Sequence, residues 1–296
     1  MTGNIASSVQ LRLREAGMAM PRVEKIVREA IAEDLDGGRD ITSVATISDK
    51  HRSTMDLVAR ASGVVAGLPV AEAVFSIVDA GIALNCPIAE GAWVEPGTVL
   101  LTASGNTRSL LTAERTALNL LSHISGIASH TKQWVDAVAG THAKIRDTRK
   151  TNPGLRHIEK YAVRAGGGLN HRMSLSDAAL IKDNHVAAVG SVSEAFDLVR
   201  RNFPDVAVEI EVDSLDQLDQ ALAAGADLVL LDNFSLDDLR KAVELNGGRA
   251  KLEASGGLTL INARAVAETG VDYLAVGALT HSSPAMDIGA DLRAEF

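Results

Sequence analysis

The second half of the chain keeps a measure that few folds can accommodate. From Glu211 to Asp232 is 21 residues, from Asp232 to Ser255 is 23, and from Ser255 to Gly277 is 22. Each of these positions stands at or just beyond the end of a short apolar run: 206–212 (VAVEIEV), 227–231 (DLVLL), 251–254 (KLEA) and 272–276 (DYLAV). Each run is preceded or followed by an amphipathic segment of helical length. Three of those segments open on Ser191-x-x-Glu194, Ser214-x-x-Gln217 and Ser235-x-x-Asp238, the first two matching a capping box and the third a looser version of one. The pattern is that of β/α units. Parallel strands joined by right-handed crossovers bring their carboxyl ends to one face, where such folds bind ligands. Lys182 ends the run 178–181 in the same way, and Arg149 and Lys150 closely follow the run 143–145. Polar groups therefore converge above a barrel.

The first half reads as a smaller α+β unit. Segment 21–35 has apolar residues at helical spacing (Val23, Ile26, Val27, Ala30, Ile31), with Pro21 at its start and Gly37-Gly38 after its end. Segments 54–60 and 63–67 read as short strands, 69–80 as a helix, and 91–101 (GAWVEPGTVLL) as two strands around a Pro-Gly turn. That last pattern also occurs in biotinyl and lipoyl carrier domains, but no exposed hairpin lysine follows, which leaves a structural turn. Segment 112–130 is apolar at 113, 117, 120, 121, 124, 127 and 128 and reads as a long, largely buried helix capped by Thr112. By spacing alone Arg115 is a charge near the helix start.

At 296 residues the chain calls for one large α/β barrel or two domains. A net charge of −9 and an aromatic fraction of 3% argue against nucleic-acid binding, which needs a broad basic surface and stacking rings. Cys86 is the only cysteine, so no intramolecular disulfide and no multi-cysteine zinc site is available, and a reducing cytoplasm is compatible. The first twenty residues contain no apolar signal core, and no stretch approaches the roughly 18 apolar residues of a membrane span. A soluble, cytoplasmic protein is expected.

One stretch inverts the charge balance. Residues 144–185 carry nine basic side chains against four acidic ones, and hold three of the eight histidines and the run Gly166-Gly167-Gly168. Such a segment suits a small, multiply anionic ligand. The glycine run by itself requires only a helix-ending turn after 155–165. Lys182 at a strand end reads either as a phosphate or carboxylate contact beside Arg149, Lys150 and Arg172, or as a Schiff-base lysine. His171, next to Arg172, reads as a hydrogen-bond donor to substrate, and His157 and His185 as structural. Glu211 and Asp232 are costly at the ends of buried strands unless they bind something. They can hold Mg²⁺ through oxygens, stabilise positive charge on a ribosyl carbon, or form structural ion pairs. Ser255-Gly256-Gly257 and Val276-Gly277-Ala278, in the last two units, suit phosphate binding by backbone N–H groups and helix N-termini, or are plain βα turns.

These residues resemble the quinolinate phosphoribosyltransferase family, the decarboxylating nicotinate-nucleotide pyrophosphorylases. The matching stretches are ERTALNLLSHISGIA from Glu114, RDTRKTNPGLR from Arg146, EKYAVRAGGGLNHR from Glu159, LIKDNH from Leu180, EIEVDS from Glu209, LVLLDNF from Leu228, EASGGL from Glu253 and DYLAVGALTHS from Asp272. The match is nearly chain-wide, with several long motifs in order. Asn152 stands where the family motif more often has an apolar residue.

The resemblance implies an N-terminal α/β sandwich domain over 1–125, completed by the tail 282–296, and an incomplete, seven-stranded α/β barrel over 126–281 that carries the site. It implies a homodimer in which Arg115 reaches into the neighbouring subunit's site. Thr148, Arg149, Lys150, His171 and Arg172 would meet quinolinate. Lys182, Glu211 and Asp232 would face the ribose, pyrophosphate and Mg²⁺, the two acids holding the metal directly or indirectly. Ser255, Gly256, Gly257, Val276, Gly277 and Ala278 would hold phosphate, and Lys150, Lys182, Glu211 and Asp232 would carry the chemistry. The implied reaction joins quinolinate to phosphoribosyl pyrophosphate, releasing pyrophosphate and CO₂ and leaving nicotinate mononucleotide. Its rivals are a transferase acting on nicotinate or a related ring acid, a Schiff-base lyase using Lys182, and a non-catalytic phosphosugar-binding protein.

Overall fold

A computed structural model describes residues 3–294. Residues 1, 2, 295 and 296, which fall within the expected N-terminal domain and its tail, lie outside the described residues. In chain order the elements are α1 (Ser7–Glu15), α2 (Met20–Leu35), α3 (Ile41–Thr46), β1 (Arg52–Ala59), β2 (Gly63–Val64), α4 (Leu68–Val78), β3 (Ala83–Asn85), β4 (Trp93–Val94), β5 (Val99–Asn106) and α5 (Thr107–Ala137). They continue with β6 (Lys144–Arg146), α6 (Arg156–Ala165), β7 (Ala179–Ile181), α7 (Asp183–Val189), α8 (Val192–Asn202), β8 (Val208–Val212), α9 (Leu215–Ala223), β9 (Leu228–Asp232) and α10 (Leu236–Asn246). The last are β10 (Lys251–Ser255), α11 (Leu260–Ala267), β11 (Tyr273–Ala275), α12 (Ala278–His281) and β12 (Ile288–Ala294).

Two compact units result. The first comprises the chain up to His130, Asn152–Gly167 and the chain from Ser282 onward; the second comprises Thr131–Thr151 and Gly168–His281. This division differs from the expected split at 125/126 chiefly in α6, which packs with the first unit.

In the first unit an antiparallel sheet runs β12-β1-β5-β3, so the C-terminal strand pairs directly with β1. Helix α2 forms where the spacing predicts it, with Pro21 in its first turn and Asp36 closing it in the left-handed region. Its buried stripe of Val23, Ile26, Val27 and Ile31 follows the helical period, and each such side chain stabilises by roughly 1.5–3 kcal/mol when fully buried. Helix α5 begins earlier than the pattern at 112–130 predicts. Thr112 is therefore no cap: its hydroxyl donates to the Arg108 carbonyl at 2.8 Å, one turn back. The start is held instead by the Asn106 side-chain oxygen, which accepts from Arg108 N at 3.0 Å and Ser109 N at 3.3 Å. Arg115 consequently lies two turns inside the helix, exposed, rather than at its end. Asn152, polar where the family has an apolar residue, is used locally: its N–H and side-chain amide donate to the Glu159 carboxylate at 3.0 and 2.7 Å.

In the second unit six parallel strands form a sheet of order β6-β11-β10-β9-β8-β7. Leu169 adds a parallel bridge to Arg146 outside β6, so the Leu169 segment is a seventh stave held by a single bridge. Its hydrogen bonds are Leu169 N to Ile145 O at 2.8 Å and Asp147 N to Leu169 O at 3.1 Å. The staves are short because only a few residues per unit need to cross the core. Alternation sorts them: Val208, Ile210 and Val212 occupy one face of β8 and are buried, leaving Glu209 and Glu211 on the other. Ser191 and Ser235 cap α8 and α10 as expected, accepting from Glu194 N and Asp238 N at 3.1 Å each. Ser214 makes no such bond; Gln217 reaches back and accepts from Asp213 N at 3.1 Å instead.

Candidate active site

The strand metre does what parallel topology requires. Asp232 and Ser255 are register partners at the ends of β9 and β10, and Glu211 sits near the end of β8, opposite Leu230. Together with the β6 and β7 ends they surround a cavity of about 380 Å³. Thr148, Arg149, Lys150, His171, Arg172, Lys182, Glu211, Asp232 and Ser255 all line it, joined by Leu180, Leu230, Glu253 and Ala275. Nine residues singled out from sequence thus meet in one place.

The cationic wall comes from the segment after β6 and from the Leu169 stave. Arg149 Nε is buried and has no hydrogen-bond partner among the described residues, so a donor waits there for an acceptor. Arg172 donates from Nη1 to the Ala178 carbonyl at 2.9 Å. Burial, and then the neighbouring Arg149 charge, pull the Arg172 guanidinium down from its usual value, and an arriving anion would relieve both. Asp147, wholly buried, accepts from the His171 N–H at 2.8 Å and so ties this stave to the end of β6. Lys150 is exposed, its N–H resting on Thr148 Oγ1 at 3.0 Å and its carbonyl accepting from Thr280 Oγ1 at 2.8 Å.

On the opposite side Lys182 precedes α7 and pairs through Nζ with Glu211 Oε2. This ion pair engages the Lys182 nitrogen with a carboxylate of the cavity wall. His185 is structural, as expected, accepting the Lys182 N–H on Nδ1 at 2.9 Å; His157 likewise accepts the Ala19 N–H at 2.8 Å. Asp232 accepts from the Asn233 amide at 2.8 Å, and Asn233 itself adopts a left-handed backbone, φ 58°. Glu211 and Asp232 both keep partial solvent access within the cavity.

The remaining residues from sequence are placed differently. Gly256 and Gly257, both with positive φ, line a second cavity of about 310 Å³ that shares Ser255 with the first. Gly256 cannot carry a side chain, because a Cβ there would run into the Asn233 amide. Gly277 lies against the cationic wall: a Cβ would sit 2.9 Å from Lys150 Cδ and 3.3 Å from His281 Nε2. Val276 is buried, its N–H bonded to the Arg146 carbonyl at 2.9 Å, and Ala278 opens α12. Arg115, on α5 in the first unit, does not line the cavity.

Two acids escaped the sequence reading. Glu209 and Glu253 are buried in the barrel interior, where branched apolar side chains are usual. Glu209 Oε2 lies 2.5 Å from His171 Nε2, and Glu253 Oε1 lies 3.6 Å from the same nitrogen. Glu253 Oε2 pairs with Arg146, whose guanidinium stacks 4.8 Å over the Tyr273 ring. Burial, and then the Glu209 carboxylate, push the Glu253 carboxyl up to about 7. The signal was available: each acid lies two residues before a strand-end residue already chosen, and period two puts both on one face.

Residues 127–291 match the model of the quinolinate phosphoribosyl transferase C-terminal domain, and residues 40–125 that of the N-terminal domain. The nicotinate-nucleotide pyrophosphorylase (carboxylating) of Mycobacterium leprae is 54% identical over 271 residues, covering 90% of this chain and 95% of the relative. The crystal structure of NadC from Streptococcus pyogenes superposes with a TM-score of 0.90 at 40% identity, over 94% of this chain and 99% of that one. The nicotinate-nucleotide pyrophosphorylase of Francisella tularensis gives 0.89 at 39% identity, over 92% and 96%.

Proposed function

The chain belongs to the quinolinate phosphoribosyltransferase family, and from that premise we propose that it transfers the phosphoribosyl group of phosphoribosyl pyrophosphate to quinolinate with loss of CO₂. The products are nicotinate mononucleotide and pyrophosphate. The observation that carries the reading is the cavity wall itself: the unpartnered, buried Arg149 Nε beside an Arg172 whose guanidinium is pulled down by burial and by the neighbouring Arg149 charge. Quinolinate brings two carboxylates and the co-substrate several phosphate charges, and desolvating them together requires such a wall.

The ring nitrogen attacks the anomeric carbon as the bond to pyrophosphate breaks, its electron pair leaving with pyrophosphate. Glu211 and Asp232 face the positive charge that develops on the ribosyl carbon, and Lys182 donates towards the phosphoribosyl side. Ribosylation leaves the ring nitrogen cationic. That charge stabilises the electron pair left on the adjacent carbon when its carboxylate departs as CO₂, and a proton then takes up the pair. No separate electron-sink cofactor is required.

Mg²⁺ belongs to the same proposal. Two carboxylates at neighbouring strand ends, both lining the cavity, match an ion that keeps several waters and binds through one or two carboxylates plus substrate phosphates. Glu211 and Asp232 would hold it, and it would supply neutralisation of the pyrophosphate charge. The reading also includes a cytoplasmic homodimer. The single Cys86 suits a reducing compartment, and the exposed Arg115 on α5 suits a charge delivered to a partner subunit's cavity.

The purified protein is to be given quinolinate, phosphoribosyl pyrophosphate and Mg²⁺ while nicotinate mononucleotide and CO₂ are followed. Both should appear in equal amounts. Turnover of nicotinate but not of quinolinate would overturn the assignment.

A further inference from the structure

The His171 ring is held at both nitrogens. Nδ1 accepts the backbone N–H of Arg172 at 2.7 Å, and Nε2 meets Glu209 Oε2 at 2.5 Å. A nitrogen that accepts carries no proton, so the ring's proton sits on Nε2 and is given to the carboxylate. The other tautomer would set the Nδ1 proton against the Arg172 N–H and a bare Nε2 against the Glu209 oxygen. Donor would face donor and acceptor would face acceptor, and both bonds would be lost together. The charged and titratable groups around the ring include Glu209 from β8, Glu253 from β10, Asp147 after β6, and Arg172 on its own segment. Glu253 gives its Oε2 to Arg146 and leaves its Oε1 3.6 Å from Nε2, beyond hydrogen-bond reach. Of the two carboxylates Glu209 is the nearer, at hydrogen-bond distance from Nε2.

Downstream of the ring the consequence is directional. His171 N–H is fixed on Asp147 and Arg172 N–H on His171 Nδ1, so two successive peptide groups are pinned. The guanidinium that leaves this backbone is half-buried in the cavity wall. We propose that Glu209 is a positioning residue for the cationic wall: its carboxylate selects the Nε2–H form of His171, whose bare Nδ1 holds the Arg172 amide and so aims the Arg172 guanidinium. This explains why an acid occupies a barrel interior that would be more cheaply filled by an aliphatic side chain. That the aimed guanidinium meets a ring dicarboxylate rests on the function proposed above; the tautomer and the pinned amide do not.

The test uses the full-length protein with ¹⁵N-labelled histidine, the His171 signals being assigned by their loss in His171→Asn. Wild type should show an unprotonated Nδ1 and a protonated Nε2, with slow hydrogen exchange at the Arg172 amide. Glu209→Gln still offers an oxygen to Nε2–H and should keep both signatures. Glu209→Leu should mix the tautomers, speed exchange at Arg172, and raise KM for quinolinate about tenfold, the loss of one well-placed charged hydrogen bond, with KM for phosphoribosyl pyrophosphate unchanged. A protonated Nδ1 in wild type overturns the proposal. So does Glu209→Gln behaving like Glu209→Leu, or Glu209→Leu leaving exchange and KM untouched. If Glu209→Leu does not fold, wild type and Glu209→Gln still decide. If wild type fails to turn over quinolinate, the functional reading falls while the nitrogen signals and amide exchange still judge the positioning.

Discussion

The Glu209–Glu253 pair makes a measurable demand on stability. Burial and then the Glu209 charge raise the Glu253 carboxyl from 4.5 to about 7, so the folded protein binds a proton there more tightly than the unfolded chain does. The resulting stabilisation is fully present below the unfolded value and is lost as pH rises through the folded one. At about 1.4 kcal/mol per pH unit, the interval from 4.5 to about 7 amounts to about 3 kcal/mol. Glu253→Gln keeps the shape and an oxygen for Arg146 but cannot titrate. Urea unfolding of wild type and variant at about pH 5 and about pH 8 isolates the effect, because every other titrating group is common to both. Between those two conditions wild type should lose about 2.5 kcal/mol more than the variant. Equal losses would refute the claim that the pair holds a proton, and a larger loss in the variant would reverse its sign.

Three further outcomes follow from the site. Gly277→Ala should lower kcat/KM on the order of tenfold by displacing Lys150, whose Cδ lies 2.9 Å from the new methyl; unchanged kinetics would show that Lys150 moves without consequence. Mixing Arg115→Ala with Lys182→Ala protein should restore about a quarter of wild-type activity, since half of randomly formed dimers are hybrids with one intact site each; subunits that demonstrably exchange without regaining activity would exclude a shared site. Chelation of divalent ions should abolish turnover and Mg²⁺ should restore it, which steady-state assay before and after dialysis would check; undiminished turnover in excess chelator would remove the metal from the mechanism.

The barrel could be read from sequence because its strands report themselves twice, as apolar runs and as a repeat length. Glu211, Asp232 and Ser255 were found because strand ends in parallel topology share a face, and Lys182 and Arg149 because they follow such runs. The seventh stave was not legible: Leu169 pairs through a single bridge and sits after a glycine run, so neither period nor propensity marks it. The start of α5 was missed because β5 runs into it without a break, and Asn106, the last strand residue, doubles as the cap. Ser214 was misread because Gln217 could satisfy the first turn from the other direction. Glu209 is not marked by the strand-end rule, because it lies one pleat below Glu211.

Among the described residues no backbone ladder joins the Leu169 stave to β7, so the barrel wall has a seam. The Arg172 Nη1 bond to the Ala178 carbonyl, which precedes β7, crosses it. A ligand-facing guanidinium is therefore also the clasp of the wall. Five of the joints between neighbouring staves are backbone ladders, whereas this one is crossed by a side-chain bond. An anion in the cavity and the Ala178 carbonyl therefore draw on donors of one and the same guanidinium.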